Sequence, residues 1–171
     1  MKTLILLRHA KSDWGDPSLA DFDRPLNDRG RKVAPRVGEW LREEGFAPDL
    51  VLCSAAKRAQ ETLALVAHAV GGEVPVRSEQ DLYMADPDRI LAIIRSSPDN
   101  VERLLVIGHN PGIEQLAIGL AGDGKKKALQ RIQKKYPTGA AAVIEYDTDR
   151  WGEVAPGAGR LRAFVRPKDV G

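Results

Sequence analysis

Hydrophobic positions in this chain follow two rhythms that alternate along its length. Continuous apolar runs, "TLILL" at 3–7, "DLVLC" at 49–53 and "RLLVIG" at 103–108, leave no polar face and read as strands covered on both sides. A fourth run, "AAAVIEY" at 140–146, predicts another strand, and "GRLRAFVRP" near the end alternates enough for one more. Pro156 and Pro167 bracket that last strand and assign it to a sheet edge. Between these runs the period changes to that of a helix. Val33, Val37, Trp40 and Leu41 share one face of 31–44, and Thr62, Leu63, Val66 and Val70 share one face of 56–70. Ile90, Leu91, Ile93 and Ile94 predict a helix over 87–96, and another follows "GHNPG" over about 112–121. Gly45 and Gly71 stand where helices end, and Pro35 inside the first pattern implies a late helix start or a kink.

Strand and helix in alternation predict an α/β fold, a three-layer α/β/α sandwich on a mainly parallel sheet. The 171 residues, 43% hydrophobic and 29% charged, suit a single domain over 1–171. With 26 basic and 24 acidic residues the net charge is +2, so no overall field points to nucleic acid or a membrane surface as partner. The lone Cys53 excludes an intramolecular disulfide and fits a reducing cytoplasm. The short apolar run that meets Arg8 reads as neither signal peptide nor membrane span.

Chemistry gathers where three of the strands stop. In open α/β sheets ligands bind beyond the carboxyl ends of the strands, and here those ends carry "RHAKS", "CSAAKRAQET" and "GHNPG". Two arginines, Arg8 and Arg58, and two histidines, His9 and His109, thereby fall on one edge. Two guanidinium forks suit a phosphoryl group, and helix N-termini would add amides for the same anion. In such a pocket a neutral imidazole can attack phosphorus while a second, protonated imidazole offsets the charge on the equatorial oxygens. That scheme requires neither metal nor cofactor.

The stretches "LLRHAKS", "DRPLNDRG" at 23–30, "SAAKRAQET", "LY" at 82–83, "IGHNPG" and "PTGA" at 137–140, in this order, resemble the histidine phosphatase superfamily and within it the SixA-type phosphohistidine phosphatases. The resemblance implies that His9 is the nucleophile that becomes phosphorylated and that Arg8, Arg58 and His109 complete the phosphate pocket, with hydroxyls from Ser12 and Ser54. Ala10 and Lys11 depart from the glycine and glutamate of phosphoglycerate mutase-like members. Larger relatives protonate the leaving oxygen with a carboxylate, for which Glu79 and Asp81 are the candidates here. An ester oxygen needs that proton, whereas the imidazole of phosphohistidine leaves readily once protonated from solvent.

Other patterns carry less. Cys53 and Arg58 have four residues between them where a cysteine phosphatase loop has five, and "GLAGDGKK" at 119–126 lacks the hydroxyl residue of a P-loop and follows a helix. The three histidines have no zinc-site spacing, and His68 lies far along its helix. "KKKALQRIQKK" at 125–135 holds six basic residues and no acidic one; it reads first as a solvated helix face and second as a docking patch for an acidic partner protein. The function expected is hydrolysis of phosphohistidine, in a phosphorylated protein or small molecule. The alternatives are a phosphatase of small monoesters or sugar phosphates and a non-catalytic phosphate-sensing or scaffold module.

Overall fold

A computed structural model of the chain describes residues 1–171. The elements run β1 (Lys2–Arg8), α1 (Asp28–Glu43), β2 (Leu50–Ser54), α2 (Lys57–Val70), β3 (Val76–Glu79), α3 (Pro87–Arg95), β4 (Arg103–Gly108), α4 (Gly112–Leu120), β5 (Ala121–Gly124), α5 (Lys126–Lys134), β6 (Ala141–Tyr146) and β7 (Gly159–Val165). All seven strands join one sheet in the order β3-β2-β4-β1-β6-β7-β5. The pairs β1/β4, β2/β4, β2/β3 and β5/β7 are parallel, while β6 runs antiparallel to both β1 and β7.

The apolar runs do what their lack of a polar face requires. Along β1 the side chains alternate, so Leu4 and Leu6 enter a core with α3, α4 and α5, and Ile5 and Leu7 enter a second core with α1 and α2. Three layers result, with every β1 leucine and isoleucine fully buried.

Two expectations change. β7 is not at an edge: β6 and β5 flank it, and Pro156 and Pro167 lie just outside its ladder, where a missing amide costs no strand hydrogen bond. The true edges are β3 and β5, both four residues long, polar or glycine-rich and mostly exposed. Nor does α1 start late. It begins at Asp28, because Asn27 accepts the Gly30 amide at 2.9 Å as an N-cap, and it continues through Pro35 at the expense of the amide that Arg31 carbonyl would otherwise receive.

Candidate active site

Strand register brings the two histidines together. Arg8 pairs with Gly108 across β1 and β4, so the next residues, His9 and His109, leave the sheet side by side with ring centroids 5.1 Å apart. The neighbouring strand β2 ends at Ser54, and Arg58 follows in the first turn of α2. A pocket of about 390 Å³ opens above these strand ends, and Arg8, His9, Ser12, Arg58 and His109 all line it.

The backbone of His9 is clamped from both sides, its amide donating to Gly108 O at 3.1 Å and its carbonyl accepting from Gly139 N at 2.9 Å. Gly139, in the "PTGA" stretch, makes that turn with φ +78°, a left-handed conformation that glycine adopts without strain. The imidazole is oriented as firmly. Nδ1 lies 2.7 Å from the carbonyl oxygen of Ala10, an atom that can only accept, so Nδ1 carries the proton and Nε2 the lone pair. Nε2 faces the guanidinium of Arg58, which donates to it at 3.3 Å. The Ala10 amide in turn donates to Thr62 Oγ1 at 3.0 Å, and Thr62 donates to Arg58 O at 2.8 Å, so one hydroxyl of α2 ties the histidine loop to the arginine.

Ser54 and Ser12 hold partners in place. Ser54 Oγ, fully buried, accepts from the Ala56 amide at 3.3 Å and lies 2.7 Å from His109 Nε2. The hydroxyl keeps its proton and a second lone pair for Nε2; where the proton is the one used, neutral His109 carries its own on Nδ1. That atom and Arg8 Nε are buried nitrogens with no hydrogen-bond partner in the chain. An unspent guanidinium N–H and an unspent ring nitrogen at one pocket suit an oxyanion. Arg8 is aimed by its Nη1 bond to Tyr136 O at 3.1 Å. Ser12 Oγ accepts from Arg24 Nη1 at 2.7 Å, so it orients an arginine.

Arg24, Asp21 and Tyr83 join the site without having been singled out in the sequence. Asp21, on a 3-10 turn over Asp21–Asp23, meets Arg58 Nη2 at 3.0 Å and Arg24 Nη2 at 3.1 Å and accepts the Tyr83 hydroxyl bond. Arg58 Nη1 also donates to the Asp21 carbonyl at 2.6 Å. Arg58 and Tyr83 are 37 and 62 residues from Asp21 in the chain, so no local period announces those contacts. The motifs "DRPLNDRG" and "LY" nevertheless contain Arg24 and Tyr83.

Charge follows from these contacts. Burial first, with the His109 ring and the Arg58 and Arg8 guanidiniums, pushes His9 down to about 3. Burial and then Arg58 push His109 down to about 4. Both shifts favour neutral rings near pH 7, where the buried guanidiniums already supply positive charge. The Tyr83 hydrogen bond, with those from Arg58 and Arg24, pulls Asp21 down to about 2.

Glu79 and Asp81, the expected proton donors, do not line the pocket. Glu79 pairs with Arg77 at 2.9 Å on the exposed strand β3, and Asp81 points to solvent beside Arg89 at 3.8 Å. Asp21 is the carboxylate at the pocket. Two amides at the helix starts have partners within the chain, that of Ala56 in Ser54 Oγ and that of Glu114 in Asn110 Oδ1 at 3.2 Å. Cys53 is buried in β2, and burial pushes its thiol up to about 12. His68 is exposed on α2, away from the pocket. No group of three or more His, Cys, Asp or Glu side chains is arranged to hold a metal ion.

With this geometry in view, comparison with known proteins is direct. The family model described as histidine phosphatase superfamily (branch 1) matches residues 4–83. An uncharacterised protein of Mycobacterium tuberculosis is 42% identical over 164 residues, covering 95% of this chain and all of that one. Among solved structures, a SixA protein from Nakamurella multipartitia superposes with a TM-score of 0.80 at 30% identity, covering 97% of this chain and 96% of that one. Its counterpart from Agrobacterium tumefaciens gives 0.81 at 28% identity, with 97% and 98% covered. The paired histidines, the arginines around them and these likenesses agree, and the chain belongs to the histidine phosphatase superfamily.

Proposed function

We propose that this protein is a phosphohistidine phosphatase working through a phosphorylated His9. The observation that carries the reading is that the carboxylate at the pocket, Asp21, is held ionised by Tyr83, Arg58 and Arg24, while Glu79 and Asp81 lie outside it. A site of this kind has no stored proton for an ester oxygen, and a P–N bond needs none from the protein.

In the first step the lone pair on His9 Nε2 forms a bond to phosphorus as the bond between phosphorus and the substrate imidazole breaks. The departing imidazole leaves neutral, its nitrogen protonated from solvent. Arg8 Nε and His109 Nδ1–H donate to the equatorial oxygens, and Arg58 swings its Nε donation from His9 Nε2 to the phosphoryl group as that lone pair is used. In the second step water attacks phosphorus, the P–Nε2 bond breaks and returns its electron pair to the imidazole, and inorganic phosphate departs with the proton of the water shared to solvent. Guanidiniums carry the charge throughout, so the scheme uses no metal ion.

The test compares hydrolysis of a phosphohistidine peptide with a panel of sugar phosphates and other monoesters, with and without a chelator. The reading expects rapid phosphohistidine turnover insensitive to the chelator, and poor ester turnover. Fast ester turnover would make the protein a small-ester phosphatase, and phosphate binding with no turnover of either class would make it a sensing module.

A further inference from the structure

Beside the phosphate pocket lies a second depression of about 540 Å³, lined by 11 residues, none of them hydrophobic and none acidic. It shares Arg8, Lys11 and Thr138 with the pocket, so the two are continuous. Its cations come from four separate parts of the chain. Lys11 follows β1, Arg29 starts α1, Arg131, Lys134 and Lys135 lie at the end of α5, and Lys168 follows β7. All six are exposed and none is paired with a carboxylate. Arg166, in the same wall, is neutralised by Asp169 at 2.9 Å. In a chain with 24 acidic residues and a net charge of only +2, this is a strong local concentration of one sign.

The fold accounts for only part of it. Ala128 and Ile132 bury the inner face of α5, so its lysines face solvent, as a surface helix requires. Nothing in that requirement brings Arg29, Lys11 and Lys168 from other elements to the same groove, or leaves its lining without an acidic residue.

The rest of the pocket rim is different in kind. Trp14 is 76% exposed and Met84 is 52% exposed, and both line the phosphate pocket but not the basic groove. Trp14 is held as a platform by the Arg24 guanidinium, 3.5 Å from its ring centroid. Met84 takes a left-handed backbone conformation, φ 51°, which is unfavourable for this residue and presents its side chain outward. Exposed tryptophan and methionine beside a site suit a protein-facing surface.

Building on the phosphohistidine reading, we propose that pocket, groove and rim form one docking surface for a phosphoprotein whose phosphorylated side chain is flanked by acidic residues on the groove side and apolar residues on the Trp14 and Met84 side. Flexible lysines spread over an open groove suit dispersed carboxylates on a surface. A compact polyanion would call for several buried, preorganised forks, of which the groove has only Arg8, shared with the phosphate pocket.

The test uses the full chain with free phosphohistidine and two phosphohistidine peptides of equal length, one flanked by Asp and Glu and one by Ser and Asn. The proposal expects kcat/KM for the acidic peptide to exceed that for the neutral one by about tenfold at low salt, an advantage that shrinks as salt screens it. In the triple variant Lys134→Glu, Lys135→Glu, Lys168→Glu that advantage disappears while turnover of free phosphohistidine is unchanged. Trp14→Ala raises KM for both peptides more than for free phosphohistidine. Equal turnover of the two peptides by the wild type, or an advantage that survives the triple variant, overturns the proposal. Inhibition by tripolyphosphate that the triple variant abolishes, without any peptide preference, would reassign the groove to a small polyanion. Failure to hydrolyse free phosphohistidine and both peptides would instead defeat the reaction itself, and the docking proposal with it.

Discussion

At the scale of single residues the protonation of His9 is set by one carbonyl. Ala10 O accepts a hydrogen bond from Nδ1–H, leaving the lone pair of a neutral ring on Nε2, the atom of the proposed nucleophile. Arg8 and Arg58 then decide affinity. Each charge-assisted hydrogen bond to a phosphoryl oxygen contributes about 1.5–3 kcal/mol. Arg8→Ala and Arg58→Ala should each weaken inhibition by inorganic phosphate about tenfold or more, and the lysine variants should recover only part of it, since an ammonium cannot copy the planar fork. Competitive inhibition constants measure this. Asp21 gives a sharper contrast. If it positions Arg58 and Arg24, Asp21→Asn should weaken phosphate binding and phosphohistidine turnover together. An acid catalyst would instead lose about 10²–10⁴-fold in kcat on esters alone. Glu79→Gln and Asp81→Asn should leave phosphohistidine kinetics near wild type, because both side chains are already paired outside the pocket.

At the scale of elements, the site depends on how closely α1 and α2 approach the loop after β1. A Cβ on Gly30 would stand 2.2 Å from Lys11 O, in the same stretch where the Asn27 amide donates to that oxygen at 3.0 Å. Gly30→Ala must therefore push the Lys11 backbone aside. It should cost about 1–3 kcal/mol of stability, as overpacking does, and lower kcat because the displaced loop carries His9; thermal unfolding and steady-state kinetics read the two effects. This dependence explains which parts of the molecule could be read from the chain. β1, β2 and β4 are buried on both faces and so print continuous apolar runs. The site residues attached to their ends, His9, Arg8, Arg58 and His109, were legible for that reason. β3, "VRSE", and β5, "AGDG", are edge strands with little to bury, and they leave no alternating signal. The bracketing prolines, Pro156 and Pro167, made β7 read as an edge, and β5 printed no apolar signal to counter them. Asp21, Arg24 and Tyr83 were not assigned because their roles arise only when a 3-10 turn is folded over α2, through contacts across tens of residues.

At the scale of the whole molecule the buried histidines couple the site to stability. His9 and His109 have pKa values of about 3 and about 4 in the folded chain, against roughly 6.5 when unfolded. Between those limits the unfolded chain binds the additional protons, so the folded state loses stability as pH falls from about 6.5 toward 4 and below. The slope per histidine is at most about 1.4 kcal/mol per pH unit. Asp21, with its pKa at about 2, adds to the loss as pH falls from the usual carboxylate value of roughly 3.9 toward about 2. Melting temperature against pH should therefore decline in the wild type from pH 6.5 downward, and the decline should be shallower in His9→Asn. Identical profiles would mean that His9 titrates normally in the folded protein. No helix in the fold is long and apolar enough to cross a membrane.

The most direct test of the account is to trap the intermediate. Wild-type protein given a labelled phosphohistidine substrate and quenched in base should carry acid-labile, base-stable label on His9, attached through Nε2 and distinguishable by phosphorus NMR from the Nδ1 isomer. His9→Ala should carry none and should turn over no substrate. Label on Nδ1, label on another residue, or undiminished activity in His9→Ala would contradict it.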